Sequence, residues 1–111
     1  MRKIEKLMNN AISNSENFRL DNTEVVSDND GVSRVYLHGS KIAEVGEDFV
    51  KIFDGGHQSS TTKSRLNAIC QEHAIAGEGV YQKNYQWFVR FTNDSGKTFQ
   101  TEVFSGEYCF A

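Results

Sequence analysis

Between Thr23 and Asp54 the chain alternates apolar and polar side chains in runs of five to seven residues, each closed by a turn signal. A period of two in runs this short is the pattern of strands with one covered face, and it leaves no room for a helix. Val32–His38 is the clearest case, with Val32, Arg34, Tyr36 and His38 on one face and Ser33, Val35 and Leu37 on the other. Thr23–Ser27 precedes it across Asp28-Asn29-Asp30-Gly31, and Lys41–Val45 follows across His38-Gly39-Ser40. Asp48–Phe53 sets Phe49, Lys51 and Phe53 against Val50 and Ile52. Strands joined so closely pair antiparallel, because a parallel partner needs a crossover of roughly a dozen residues or more.

Two segments carry the helical period instead. In residues 2–13, Ile4, Leu7, Met8, Ala11 and Ile12 form one apolar stripe, with Arg2, Lys3, Glu5, Lys6 and Asn9 on the other side. Ser13-Asn14-Ser15-Glu16-Asn17 ends that helix, since short polar side chains compete for the backbone. The second helix runs from about Thr61 to His73, with Leu66, Ile69, Cys70 and His73 inward and Ser59-Ser60-Thr61-Thr62 offering caps. Gly79–Asn84, Tyr85–Phe91 and Lys97–Phe104 read as further strands, with Phe99, Val103, Phe104, Tyr108 and Phe110 extending the core or its edge. The expectation is an α+β fold: an antiparallel sheet of about five to seven short strands packed on a central helix at about 61–73. Residues 1–20 are then an N-terminal helix and linker, and 21–111 one domain. An apolar content of 38% is low for a globular chain, but eight Phe, four Tyr and one Trp bury large areas each and sustain a thin core.

Charge and spacing exclude several functions. The net charge of −3 is too mild for a mimic of DNA, and its distribution is uneven: residues 1–20 sum to +2 and 21–54 to −5. No apolar stretch approaches a membrane span, and the basic N-terminus lacks the apolar run of a signal peptide. A reducing cytoplasm leaves Cys70 and Cys109 as thiols. Cys70 and His73 sit at chelating spacing, yet His38, His57 and Cys109 are scattered, so no metal or other cofactor is expected. Cys70 also falls in the apolar stripe, an inert setting for a thiol. The many Asp and Glu residues occur mostly in turns, where they serve local hydrogen bonds. An enzyme is not expected.

Three segments resemble a known group. They are Val32-Ser33-Arg34-Val35-Tyr36-Leu37-His38-Gly39 with Lys41-Ile42-Ala43, then Phe53-Asp54-Gly55-Gly56-His57-Gln58-Ser59 running into Thr61–Ile69, and Gly77–Asn84 with Trp87-Phe88-Val89. Together with the N-terminal helix and Phe104-Ser105-Gly106, they resemble a family of small, functionally uncharacterised proteins of tailed phages, including cyanophages and other marine phages. The resemblance implies a phage origin and no particular activity; with neither a membrane span nor a signal peptide in the sequence, the expected place of action is the host cytoplasm.

Two segments are candidates for binding. His57, Gln58, Ser60, Thr61, Thr62, Lys63 and Arg65 gather hydroxyls and two bases at a helix N-terminus, the chemistry of an anion or phosphate contact. The plain alternative is a helix that needs only its cap, with Lys63 and Arg65 solvated. Tyr85 and Trp87 belong to an aromatic run, Tyr81 to Phe91, of which some members face out to stack bases or anchor a partner, unless the run is core. Three functions are therefore carried forward. The first is a non-enzymatic phage accessory protein that binds and modulates a host protein or complex, in host takeover or counter-defence such as CRISPR inhibition. The second binds nucleic acid through Thr61–Arg65 and exposed aromatics. The third self-associates or joins the virion through the N-terminal helix.

Overall fold

The structure, a computed structural model, describes residues 1–110. Its elements run α1 (Lys3–Ser13), β1 (Phe18–Leu20), β2 (Thr23–Ser27), β3 (Ser33–Leu37), β4 (Ser40–Val45), β5 (Val50–Phe53), α2 (Ser60–His73), β6 (Gly79–Lys83), β7 (Gln86–Phe91), β8 (Gln100–Val103) and β9 (Glu107–Phe110). The α+β class and the antiparallel pairing are as the sequence predicts. Among the described residues the strands number nine, however, and form two sheets: six strands in the order β1-β2-β3-β4-β5-β9, and three in the order β6-β7-β8.

Two strands account for the difference. Phe18–Leu20, expected to be linker, pairs with β2 through Phe18 opposite Val25. At the other end the chain leaves β8, turns at Phe104–Gly106 and returns to β5, so that Tyr108 lies opposite Ile52. Asp54 pins that return: its backbone N–H donates to the Gly106 carbonyl at 2.9 Å, and its Oδ2 accepts from the Gly106 N–H at 3.1 Å. Neither strand carries enough residues to show a period. The strand expected over 97–104 is also shorter, because Asp94 gathers the preceding loop. Its Oδ1 accepts from the N–H groups of Lys97 and Thr98 at 3.0 and 2.8 Å, and Oδ2 from the Thr98 hydroxyl.

Within the six-stranded sheet the faces fall as the alternation dictates. Ser33, Val35 and Leu37 are buried, as are Val50 and Ile52. A register shift at Val35/Tyr36 lets β4 turn both Ile42 and Ala43 inward. α2 contacts α1, β4, β5 and β6, so Leu66, Ile69 and Cys70 lie in a common core with Met8, Val25, Trp87 and Phe104.

The polar face of α1 does not match its expectation. Met8, Ala11 and Ile12 are buried, but so are Glu5 and Asn9, while Leu7 is exposed. The reason is α2 alongside. Glu5 Oε2 takes hydrogen bonds from Arg65 Nη1 at 2.8 Å and Ser64 Oγ at 2.6 Å, and Asn9 Nδ2 donates to the Ala68 carbonyl at 3.0 Å. The helix docks on its own chain and uses within it most of the stripe that a second copy would need.

Candidate binding surface

The start of α2 is built for its own structure. Ser59 caps it, accepting from the Thr62 N–H at 3.1 Å, and Thr62 is buried with its hydroxyl donating to the His57 carbonyl at 3.0 Å. Arg65, expected at a phosphate, turns inward and is 3% exposed. Its guanidinium reaches Glu5 Oε2, Thr23 Oγ1 at 3.1 Å and Asn22 Oδ1 at 3.3 Å, tying α1, α2 and β2 together. Lys63 leans toward Gln82 Oε1 at 3.5 Å, and Gln58 Nε2 donates to Asp54 Oδ2 and the Phe104 carbonyl, each at 3.2 Å. What remains is His57 and Ser60, exposed, and Thr61, half-buried; His57 and Thr61 line a cleft of about 490 Å³ that Asp54 lines as well. Stripped of Arg65 and sharing its cleft with an acid, this end is a capped helix and not an anion cradle.

The aromatic run divides by face. Trp87 is buried, contrary to its expected exposure, and stacks on Phe104 with centroids 6.4 Å apart. Val89 and Phe91 share its inward face. Phe88 and Arg90 therefore point the other way, and the register extends them across the whole small sheet. Tyr81 lies opposite Phe88, which lies opposite Val103. The adjacent row is Gly79, Arg90 and Thr101, and Lys83 pairs with Gln86 beyond. Tyr81 and Phe88 stack at 5.4 Å with their planes 19° apart, and Val103 is 56% exposed.

Several features hold this face in place. Asn67 of α2 bonds both the N–H and the carbonyl of Val80, at 2.8 and 2.9 Å, fastening the helix to the edge strand β6. The Arg90 guanidinium lies 4.5 Å from the centre of the Phe99 ring, a cation–π contact. Phe99 packs so closely on Gly77 that a β-carbon there would come within 2.8 Å of its ring. A cleft of about 700 Å³ opens at this end, lined by Gln71, Gly77, Tyr81, Arg90, Phe99 and Thr101 among others. At the opposite end Asn84 and Tyr85 make the β6–β7 turn with φ of 50° and 64°. Positive φ at both central residues is the tight hairpin turn that favours Asn-Gly, so a Tyr at its second position is strained. Tyr85 is 95% exposed there, with nothing in its surroundings to require an aromatic ring.

Charges on the two sheets are handled differently. On the outside of the large sheet, Arg34 pairs with Asp28 at 2.7 Å and Asp30 at 3.1 Å, Lys41 with Glu44 at 2.9 Å, and Lys51 with Glu107 at 2.9 Å. The Lys41 hydrogen bond is the main force holding the Glu44 carboxyl below its ordinary value, and the bond to Glu107 raises Lys51. Lys83 and Arg90 make no ion pair among the described residues, and the three rows of the small sheet contain no carboxylate. A sign of this face is legible in the alternation of β7, which puts Phe88 on the side of Arg90 and Gln86 and Trp87 on the other.

Cys70 is fully buried, which pushes its thiol up to about 12, with the Glu78 charge adding to the effect. Burial likewise lowers His73. Both cysteines are free thiols, and among the described residues no three His, Cys, Asp or Glu side chains converge to hold a metal. Among the described residues no helix is long and apolar enough to cross a membrane.

Residues 1–110 match the family model described as Kyanoviridae Gp96 protein, and the chain belongs to that family of cyanophage proteins. No curated protein and no solved structure matches it.

Proposed function

We propose that this phage protein is a non-enzymatic accessory factor that binds and modulates a host macromolecule during infection, and that the open face of the β6-β7-β8 sheet is its contact surface. One observation carries the proposal: an apolar row with Tyr81 and Val103 exposed and Phe88 half-buried stands beside two cations, Lys83 and Arg90, that form no ion pair among the described residues. Exposed aromatic and apolar groups in a contiguous patch are costly to leave in water and are characteristic of contact surfaces. The strain at Tyr85 adds support, because Gly at that turn would be easier to fold and would offer no ring. Cys70, whose burial pushes its thiol up to about 12, is a poor nucleophile at neutral pH. Whether the setting is host takeover or counter-defence follows from the partner's identity.

The test is affinity capture from cyanobacterial lysate, with and without nuclease, using the wild-type chain beside Tyr81→Ala and Tyr85→Gly. A stoichiometric partner held by the wild type and released by both variants is the expected result. Retention of nothing, or equal retention by all three chains, overturns the proposal.

A further inference from the structure

We propose that the occupant of this face is single-stranded nucleic acid, its bases stacked on the Tyr81–Phe88 pair and on Tyr85 and its phosphates held by Arg90 and Lys83. The inference rests on the preceding reading of the small sheet as the contact surface, and it names the chemistry that surface takes.

Charge complementarity selects a polyanion. The chain as a whole is −3, yet residues 79–104 carry Lys83, Arg90 and Lys97 against Asp94 and Glu102, a local sum of +1. Of those two acids, Glu102 lies opposite inward-facing Val89 and so on the other face of the sheet from Phe88 and Arg90, where it is exposed. Asp94 is engaged by Thr92, Lys97 and Thr98 in its own loop. The outward rows therefore present cations with no compensating acid, whereas every base on the outside of the six-stranded sheet from Arg34 to Lys51 is matched by a carboxylate.

The rings then select unpaired bases over a generic polyanion. Tyr81 and Phe88 sit on neighbouring strands with nearly parallel planes, an arrangement onto which a planar base adds as a further layer. The Arg90 guanidinium already lies 4.5 Å from the centre of the Phe99 ring, and an arginine side chain at an aromatic face also accepts a base beside it. In a duplex the bases are stacked on one another and cannot reach a flat sheet, so only a single strand uses both the rings and the cations. Tyr85 at the hairpin tip lies beyond Lys83 along the same ribbon. From Gly79 to Tyr85 the ribbon is on the order of 20 Å long at roughly 3.3 Å per residue, room for several nucleotides.

The measurement is fluorescence anisotropy of purified full-length chain with labelled dT and U oligonucleotides of about 12 nucleotides, within the usual site sizes. Each is titrated over a range of salt concentrations. Expected is binding that weakens with salt. Tyr85→Gly lowers the affinity roughly tenfold. Arg90→Gln flattens the slope of log K against log salt by about 0.7, and Lys51→Gln, on the other sheet, changes nothing. The ratio between the dT and U arms reports whether a 2′-hydroxyl is read. Binding insensitive to both Tyr85→Gly and Arg90→Gln, or no binding at low salt, overturns the inference. If the oligonucleotides fail while Tyr85→Gly still releases a nuclease-resistant protein from the lysate, the nucleic acid is wrong and the surface stands. If both fail, neither proposal survives.

Discussion

The two sheets follow the same rules of alternation and end with opposite outer faces. Of the bases on the large one, Arg34, Lys41 and Lys51 are answered by Asp28, Asp30, Glu44 or Glu107, and Arg19 at its β1 edge stands opposite Glu24 in the register. Lys41 and Lys51 also lie over the Phe53 ring, at 5.0 and 5.4 Å, which covers the aromatic that strand would otherwise expose. The small sheet leaves Lys83 and Arg90 without an ion pair among the described residues, although Arg90 lies over Phe99, and its Tyr81–Phe88–Val103 row is uncovered. A face that neutralises and covers itself gains little from a partner, whereas one that does neither gains apolar burial and ion pairing together when something docks. The difference therefore concerns what each surface has left to offer, and not how well either sheet is folded.

The sharpest break of this contrast lies inside one hairpin. Trp87 and Tyr81 are both aromatic and close in sequence, but Trp87 is 2% exposed against Phe104 while Tyr81 is 36% exposed on the open face. Trp87→Ala is expected to destabilise the fold by about 3–5 kcal/mol, the range for emptying a large core site. Tyr81→Ala is expected to change stability by about 1 kcal/mol or less, in keeping with a surface substitution. Urea unfolding followed by far-UV circular dichroism reads both. A large loss from Tyr81→Ala would make its ring part of the core and remove it from the contact surface.

The next effect tests the frame that holds both sheets to the helices. Burial alone would raise the Glu5 carboxyl, but the Ser64 hydroxyl, the Arg2 N–H and the Arg65 guanidinium together hold it below its ordinary value of 4.5. A carboxylate depressed in the folded state contributes stability that is fully present above the unfolded value. That contribution is lost as pH falls from near 4.5 through the lower folded value. Glu5→Gln leaves Arg65 buried without its counter-charge and is expected to cost about 3 kcal/mol at pH 7. It should also flatten the decline of stability below pH 4.5, which comparison of urea midpoints at pH 7 and in mild acid reveals. An unchanged acid profile would place the pair outside the forces that hold α1 to α2. The result bears on binding too, because an Arg65 needed for the fold is not available to a phosphate.

Arg65 also shows where sequence stops informing about this molecule. Strong local periods were readable: the faces of Ser33–Leu37 and Val50–Phe53, and the inner stripe of α2 through Leu66, Ile69 and Cys70, all fall as alternation or helical spacing requires. What depended on a distant partner was not. Glu5 and Arg65 are 60 positions apart, and each alone looks like a solvated charge on a helix. β9 is too short to carry a period and becomes a strand only because Asp54 fastens Gly106 and β5 offers an edge. For the same reason the candidate surface was half legible. The aromatic run drew notice from its composition, while the choice between Trp87 and Phe88 as the outward ring depended on which side α2 covers.

The smallest expected effect is also the one that separates stability from function. Tyr85 holds a left-handed conformation with φ of 64°, which costs an L-residue about 1–2 kcal/mol relative to glycine. Glycine in turn loses more freedom on folding, by about 0.5–1 kcal/mol. Because the Tyr85 ring is almost wholly in solvent, its removal forfeits little packing. Tyr85→Gly should therefore raise stability by about 0.5–1 kcal/mol, read as a higher urea midpoint with an unchanged slope. The same substitution is expected to weaken binding at the small sheet. A variant that folds better and binds worse would show that the ring is kept at the tip for contact. One that folds worse would give Tyr85 a structural role, and the strain at the hairpin would no longer mark the open face as the working surface.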